Sequence, residues 1–239
     1  MQSFVILNNN VLKLKFMNET HLNYLTQLVD INQGYVGNNS LNWANHVLPN
    51  DTFDNYLNRQ FNRDKLFDYC KNVNNDNLNV LVAILSWGGM RRDHGRLLFN
   101  NRQFVLDLVS NLRNGIYQTR QSAFSIFQDS RTNGQLQGLG IGYFTKLICF
   151  LSPNLNGYIM DQWVGKSINL LTGENIVNIT GNTWVNDNNN SGTYEIFCTH
   201  VDNLAQLLNC SGFEAEKRIF SVGRGNGAWR NYLIQNYNN

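Results

Sequence analysis

The sequence predicts a mainly α chain, one folding unit of 239 residues with a small β-hairpin near its start. Apolar residues recur at helical spacing through most of the chain, while strand-like alternation hardly appears in its middle. Prolines, which break helices, stand only at Pro49 and Pro153. The composition is 42% hydrophobic and 12% aromatic with 15% charged residues, which is that of a chain with a buried core and excludes a disordered one. Its length suits one large domain or two closely packed lobes better than several modules.

Taken in order, residues 4–7 and 11–16, FVIL and VLKLKF, flank three asparagines and are expected to pair as the hairpin. Val11, Leu12, Leu14 and Phe16 suit strands, and Asn tolerates turn geometry. Leu22, Leu25, Leu28 and Val29 predict a helix over 19–30. Phe53, Tyr56, Leu57, Phe61, Leu66, Phe67 and Cys70 predict another over 52–73. Further helices are expected at 77–87, 102–113, 118–128, 143–151, 161–171, 202–209 and 213–222, with Pro153 as a stop. The segment 180–194 is rich in Asn and Gly and reads as an exposed loop. Asn makes up roughly one residue in six, an excess we attribute to genome composition.

Several function classes drop out. The net charge of +2 and pI near 8.3 permit a nucleic-acid partner without requiring one. Cys70, Cys149, Cys198 and Cys210 are widely spaced, with no CxxC and no Cys/His pairing, so zinc, iron–sulfur and disulfide frameworks lack their sequence sign. Free thiols in a reducing cytoplasm are expected. The N-terminus has neither a basic start nor a long apolar stretch, and no run approaches the ~20 apolar residues of a membrane span. A soluble cytoplasmic monomer without membrane contact is expected.

The most informative stretch is LQGLGIGYFTKLICFLSPNLNGYIMDQW, residues 136–163. Gly138 and Gly140 suit a tight turn that a bulky partner can approach, anchored by Leu136, Leu139 and Ile141. A helix beginning near Gly142 would present free N–H groups and a positive dipole end to an anion such as phosphate. A dinucleotide GxGxxG needs its third glycine one position later, and a P-loop around Gly165-Lys166-Ser167 needs Gly where Met160 stands. A plain glycine turn between two core helices stays open as the alternative.

With LQGLGIGYFTKLICFL followed by YIMDQWV, the chain resembles the helix-hairpin-helix DNA glycosylase superfamily, and within it bacterial proteins of the 8-oxoguanine-glycosylase fold, through FLSP at 150–153 and IMD at 159–161. The sharp resemblance covers about 136–170, with weaker patches at 84–92 and 213–224. It implies a two-lobed glycosylase fold across 1–239, with the helix-hairpin-helix and catalytic segment at about 128–170. It also implies double-stranded DNA carrying a modified base as partner, Asp161 as the catalytic carboxylate, no required cofactor, and room for a monovalent cation at the hairpin. Two departures matter. Gln137 replaces the usual proline, and Gly142 stands where bifunctional members carry a Schiff-base lysine, so hydrolysis without strand cleavage is expected.

The remaining site residues are placed by chemistry around that frame. Gly138, Gly140 and Gly142 would meet DNA, and Lys146, one turn further on the same face, is expected to bind phosphate rather than form an imine. SWGGMRRDHGR, 86–96, offers Arg91 and Arg92 for phosphates and Trp87 and Asp93 for the base, or else is a solvated charged loop. Gln162 is a candidate base reader, and Trp163 a pocket wall or core residue. GRGNGAWRN, 223–231, adds Arg224, Trp229 and Arg230 as a second candidate for backbone contact. Asp161 also suits a helix N-cap, a role that can coexist with catalysis.

Overall fold

The computed structural model describes residues 17–28, 35–181, 183–220 and 227–237. Twelve α-helices lie among them: α1 (Glu19–Gln27), α2 (Ser40–Val47), α3 (Arg63–Lys71), α4 (Asn77–Trp87), α5 (Arg92–Phe99), α6 (Arg102–Arg113), α7 (Arg120–Thr132), α8 (Ile141–Leu151), α9 (Gln162–Thr172), α10 (Ser191–Leu207), α11 (Gly212–Phe220) and α12 (Ala228–Asn236). Two short antiparallel pairs complete them. β1 (Val36–Asn39) pairs with β2 (Gln60–Asn62), and β3 (Ile179–Thr180) with β4 (Trp184–Val185). The chain is mainly α with small two-stranded sheets, as its sequence predicts; the hairpin expected at 4–16 lies outside the described residues.

Three helices form the interior: α4 and α8 are apolar nearly all round, and α9 buries Lys166, Ser167 and Asn169 along with its apolar residues. Val80–Trp87 of α4, Phe144–Leu151 of α8 and Val164–Leu171 of α9 are buried throughout. Helices α3, α4, α6 and α7 surround α8, while α1, α10, α11 and α12 surround α9. The link from α8 to α9 comes to the surface at Asn154 and Asn156, is buried again over 157–160, and ends at Asp161.

Elsewhere the structure corrects the expected elements, chiefly where caps override periodicity. The helix expected over 52–73 is a 3-10 turn at Asn55–Leu57, then β2, then α3. Asp54 caps the turn by accepting from Tyr56 N (2.8 Å), and Asn62 caps α3 by accepting from Lys65 N (2.9 Å). Helix α10 begins at Ser191 rather than 202, capped by Asn190 (Thr193 N, 3.0 Å), so the 180–194 loop is shorter and holds the β3–β4 hairpin. Residues 92–99 form α5, whose Gly95 fits closely against Trp43 of α2; they are not a charged loop. Helices α2 and α12 were not expected at all.

No helix among the described residues is long and apolar enough to cross a membrane.

Candidate active site

The site begins where α4 ends. Gly89 takes a positive φ of 72° and lets Met90 N reach Leu85 O (3.0 Å), a turn that glycine adopts without strain. Trp43 Nε1 then donates to Met90 O (2.7 Å), so the segment leading into α5 is held from beneath.

Helix α5 in turn supports the glycine turn between α7 and α8. Gly138 has a φ of 82°, and a Cβ there would stand 2.5 Å from His94 O. Only glycine fits both constraints. Leu136, Leu139 and Ile141 are buried and anchor the turn from within. Gly140 caps α8 without a side chain, and among the described residues no acceptor meets the N–H groups of Gly140, Ile141 and Gly142. Three free donors and the dipole of an 11-residue helix thus converge at one partly exposed point.

Asp161 lies beside that point. A Cβ built on Gly142 would sit 3.6 Å from Asp161 Cβ, which is ordinary contact. Thr145 of α8 fixes the approach: Met160 N donates to Thr145 Oγ1 (3.1 Å), which donates to Ile141 O (2.8 Å). Asp161 Oδ1 accepts from Trp163 N (2.9 Å) and Val164 N (3.0 Å), capping α9. Its Oδ2 has no hydrogen-bond partner among the described residues. One oxygen is structural, then, and the other is available.

Beneath Asp161 the interior is unusually charged. Lys146 is only 8% exposed, and its Nζ donates to Gly142 O (2.7 Å). Burial lowers its pKa, against the opposing pull of Asp161 and Glu216. Arg63 of α3 pairs with fully buried Glu216 of α11 and donates to Cys149 Sγ (3.7 Å). Burial raises the Glu216 pKa while Arg63 resists the rise. Arg230 of α12 stacks 3.7 Å from the Trp163 ring centroid; burial pushes its pKa down to about 10, opposed by Asp161.

Measured against expectation, the structure gathers Gly138, Gly140, Gly142, Lys146, Asp161, Gln162, Trp163 and the 88–94 segment into one neighbourhood. Lys146 lies beneath the turn with its ammonium bonded to backbone, which corrects the expectation of a phosphate contact at the surface. Trp87 is a core residue between Tyr35 and Phe150. Asp93 pairs at the surface with Arg91 (Nε to Oδ1, 3.0 Å), and Arg91 holds its pKa low. Arg92 is exposed at the first turn of α5, Trp163 is partly buried as a platform for Arg230, and Arg224 lies outside the described residues. Sequence reading missed Thr145, Arg63 and Glu216. A charged residue on an apolar helix face, Glu216 midway between Phe213 and Ile219, was the available sign.

An α-rich fold that sets a glycine hairpin and an uncapped helix beside an aspartate at the head of the next helix is the arrangement of helix-hairpin-helix glycosylases. The family described as "Putative 8-oxoguanine DNA glycosylase OGG-like protein" matches residues 36–220, well over half of the chain, and the chain belongs to that family. No curated protein and no solved structure matches it.

Proposed function

We propose that the chain is a DNA glycosylase that extrudes a modified base from duplex DNA and hydrolyses its N-glycosidic bond at Asp161. The observation that carries this reading is the closeness of Asp161 to the start of α8, where a Cβ on Gly142 would stand 3.6 Å from Asp161 Cβ and three backbone donors have no partner among the described residues. Phosphates of the bound strand rest on those donors, with Arg91 and Arg92 nearby. Departure of the base leaves positive charge on the deoxyribose, which the Asp161 carboxylate stabilises while it orients or deprotonates the attacking water. Base removal is hydrolytic, since Gly142 offers no amine. The carbonyls of Gln137, Gly138 and Leu139 accept no hydrogen bond from described residues, and such oxygens suit a monovalent cation at the hairpin.

For the base we favour glucosylated hydroxymethylcytosine in phage DNA, a defence role supported by the resemblance to bacterial proteins of this fold and by the absent lysine at 142. The family description supports 8-oxoguanine as the second substrate. Purified protein is mixed with glucosylated phage DNA, an 8-oxoguanine duplex and unmodified DNA, and abasic sites are counted with an aldehyde-reactive probe. Excision lost in Asp161→Asn supports the reading. Excision retained in that variant removes Asp161 from the mechanism, and no excision from any DNA leaves a non-catalytic DNA-binding protein.

A further inference from the structure

We infer that the β3–β4 hairpin is a DNA-binding arm whose Trp184 indole packs on the deoxyribose sugars of the duplex beside the glycine turn, an interaction that rests on the glycosylase reading. Of the five tryptophans, Trp43, Trp87 and Trp229 are buried and Trp163 is half-buried, whereas Trp184 is 65% exposed. The strand register sets that difference. Ile179 and Val185 face each other across the hairpin and pack against the core, so the other facing pair, Thr180 and Trp184, is turned outward.

Two sets of contacts place the arm at the end of the molecule where Asp161 stands. Asn169 of α9 accepts from Val177 N (2.9 Å) and donates to Val177 O (2.8 Å), and one turn nearer Asp161 a Cβ on Gly165 would stand 3.4 Å from Ile179 Cδ1. Strand β3 therefore runs along α9 toward its N-terminal cap, and Trp184, paired with the residue after Ile179, lies further that way. On the other side Arg131, in the last turn of α7 before the glycine turn, holds Asp187 with two bonds of 2.8 and 2.9 Å.

The arm is braced and uncharged. So short a strand pair is marginal alone, but buried Asn189 accepts from Asn178 N (2.9 Å) and donates to Asn178 O (2.9 Å), closing the base of the hairpin. The backbone that carries the ring is thus held before any partner arrives, which lowers the ordering cost of binding. From Ile176 to Asn186 no side chain is ionisable. Phosphates therefore fall to the donors of α8 and to Arg91 and Arg92, and the arm suits an uncharged surface. In an intact duplex the base faces are closed by stacking, so the ring meets the sugar edge, whose contacts fix the position of the DNA without reading its sequence.

The test measures binding, so that it does not depend on excision. A fluorescein-labelled unmodified duplex is titrated with protein by anisotropy across a series of salt concentrations. Trp184→Ala should weaken binding about tenfold, and Trp184→Phe should recover most of the loss. The slope of log affinity against log salt should stay the same, because no phosphate contact is removed. Melting temperatures should agree among the three proteins, since the ring is exposed. Unchanged affinity in Trp184→Ala, or a loss that comes with a shallower salt slope, would overturn the proposal. So would a dimer of the free protein that Trp184→Ala dissolves in light scattering, which assigns the ring to a second copy of the chain. Excision with binding indifferent to Trp184 sinks the arm alone, binding that needs Trp184 without excision sinks the role of Asp161 alone, and no binding of DNA by the unaltered protein sinks both.

Discussion

The turn between α7 and α8 presents bare backbone donors, whereas the interior a few residues away holds Arg63, Lys146, Glu216 and Arg230 as ionisable side chains taken out of water. Backbone donors at a helix start keep their partial charge at any pH and require no partner in the free protein beyond water. Buried ionised groups each carry a desolvation cost that only a well-placed neighbour offsets. The first region is defined by what its residues lack, the second by what they carry. Substitutions in the turn should therefore act on DNA, and substitutions in the interior on folding, with Asp161 at the boundary between them.

Asp161→Asn is the sharpest test of that boundary and has the largest expected effect. Asn caps helices about as well as Asp, so α9 should stay capped and the melting temperature nearly unchanged. Excision should fall by about 10²–10⁴-fold, the range for loss of a positioned acid–base group. A comparable fall in stability would show that the aspartate is chiefly a cap. Next comes Arg63→Met, which strips the partner from a carboxylate with no solvent contact. Breaking such a buried pair costs about 3–5 kcal/mol. Urea unfolding is the measurement, and unaltered stability would mean that Glu216 does not depend on Arg63 for its charge.

The same contrast explains what was legible in the sequence. The turn could be read because three glycines at alternate positions are conspicuous and their conformational role is local: Gly138 does adopt a positive φ. Helices α4 and α6 were readable to the residue, α6 because it buries the periodic stripe Val105, Leu108, Val109 and Leu112, and α4 because its apolar run Val80–Leu85 has no polar interruption. Glu216 and Arg63 were not, because they meet across α11 and α3, some 150 positions apart in the chain. Lys146 was seen on the right helix face but given the wrong direction, because helix geometry places a residue on a face without saying that α4 covers that face at Gly88. Helix α5 was hidden by its three charged residues, a histidine, and a glycine whose reason, the indole of Trp43, lies far off in sequence.

Smaller effects refine the boundary. Thr145→Val keeps the shape of the side chain but leaves Met160 N–H buried without an acceptor, which costs about 1–3 kcal/mol. Because that bond steers the segment into Asp161, the excision rate should fall more than DNA affinity does. Equal losses in both would show that Thr145 supports the fold without aiming the carboxylate.

The finest distinction lies within the turn, between glycines that look equivalent in sequence. Gly138→Ala must hold a positive φ, at roughly 1–2 kcal/mol, and also push its methyl into His94 O, so DNA affinity should drop as the turn shifts from α5. Gly142→Ala meets Asp161 and Met160 at 3.6–3.8 Å, ordinary contact, and lies in a helix that alanine favours. It should leave stability unchanged or raised by about 0.5 kcal/mol, with DNA affinity measured by anisotropy moving less than for Gly138→Ala. If instead the two variants lose affinity alike, the donors at Gly140, Ile141 and Gly142 need an open surface as well as an open bonding direction. The anion site would then owe as much to the missing side chain at 142 as to the geometry imposed at 138.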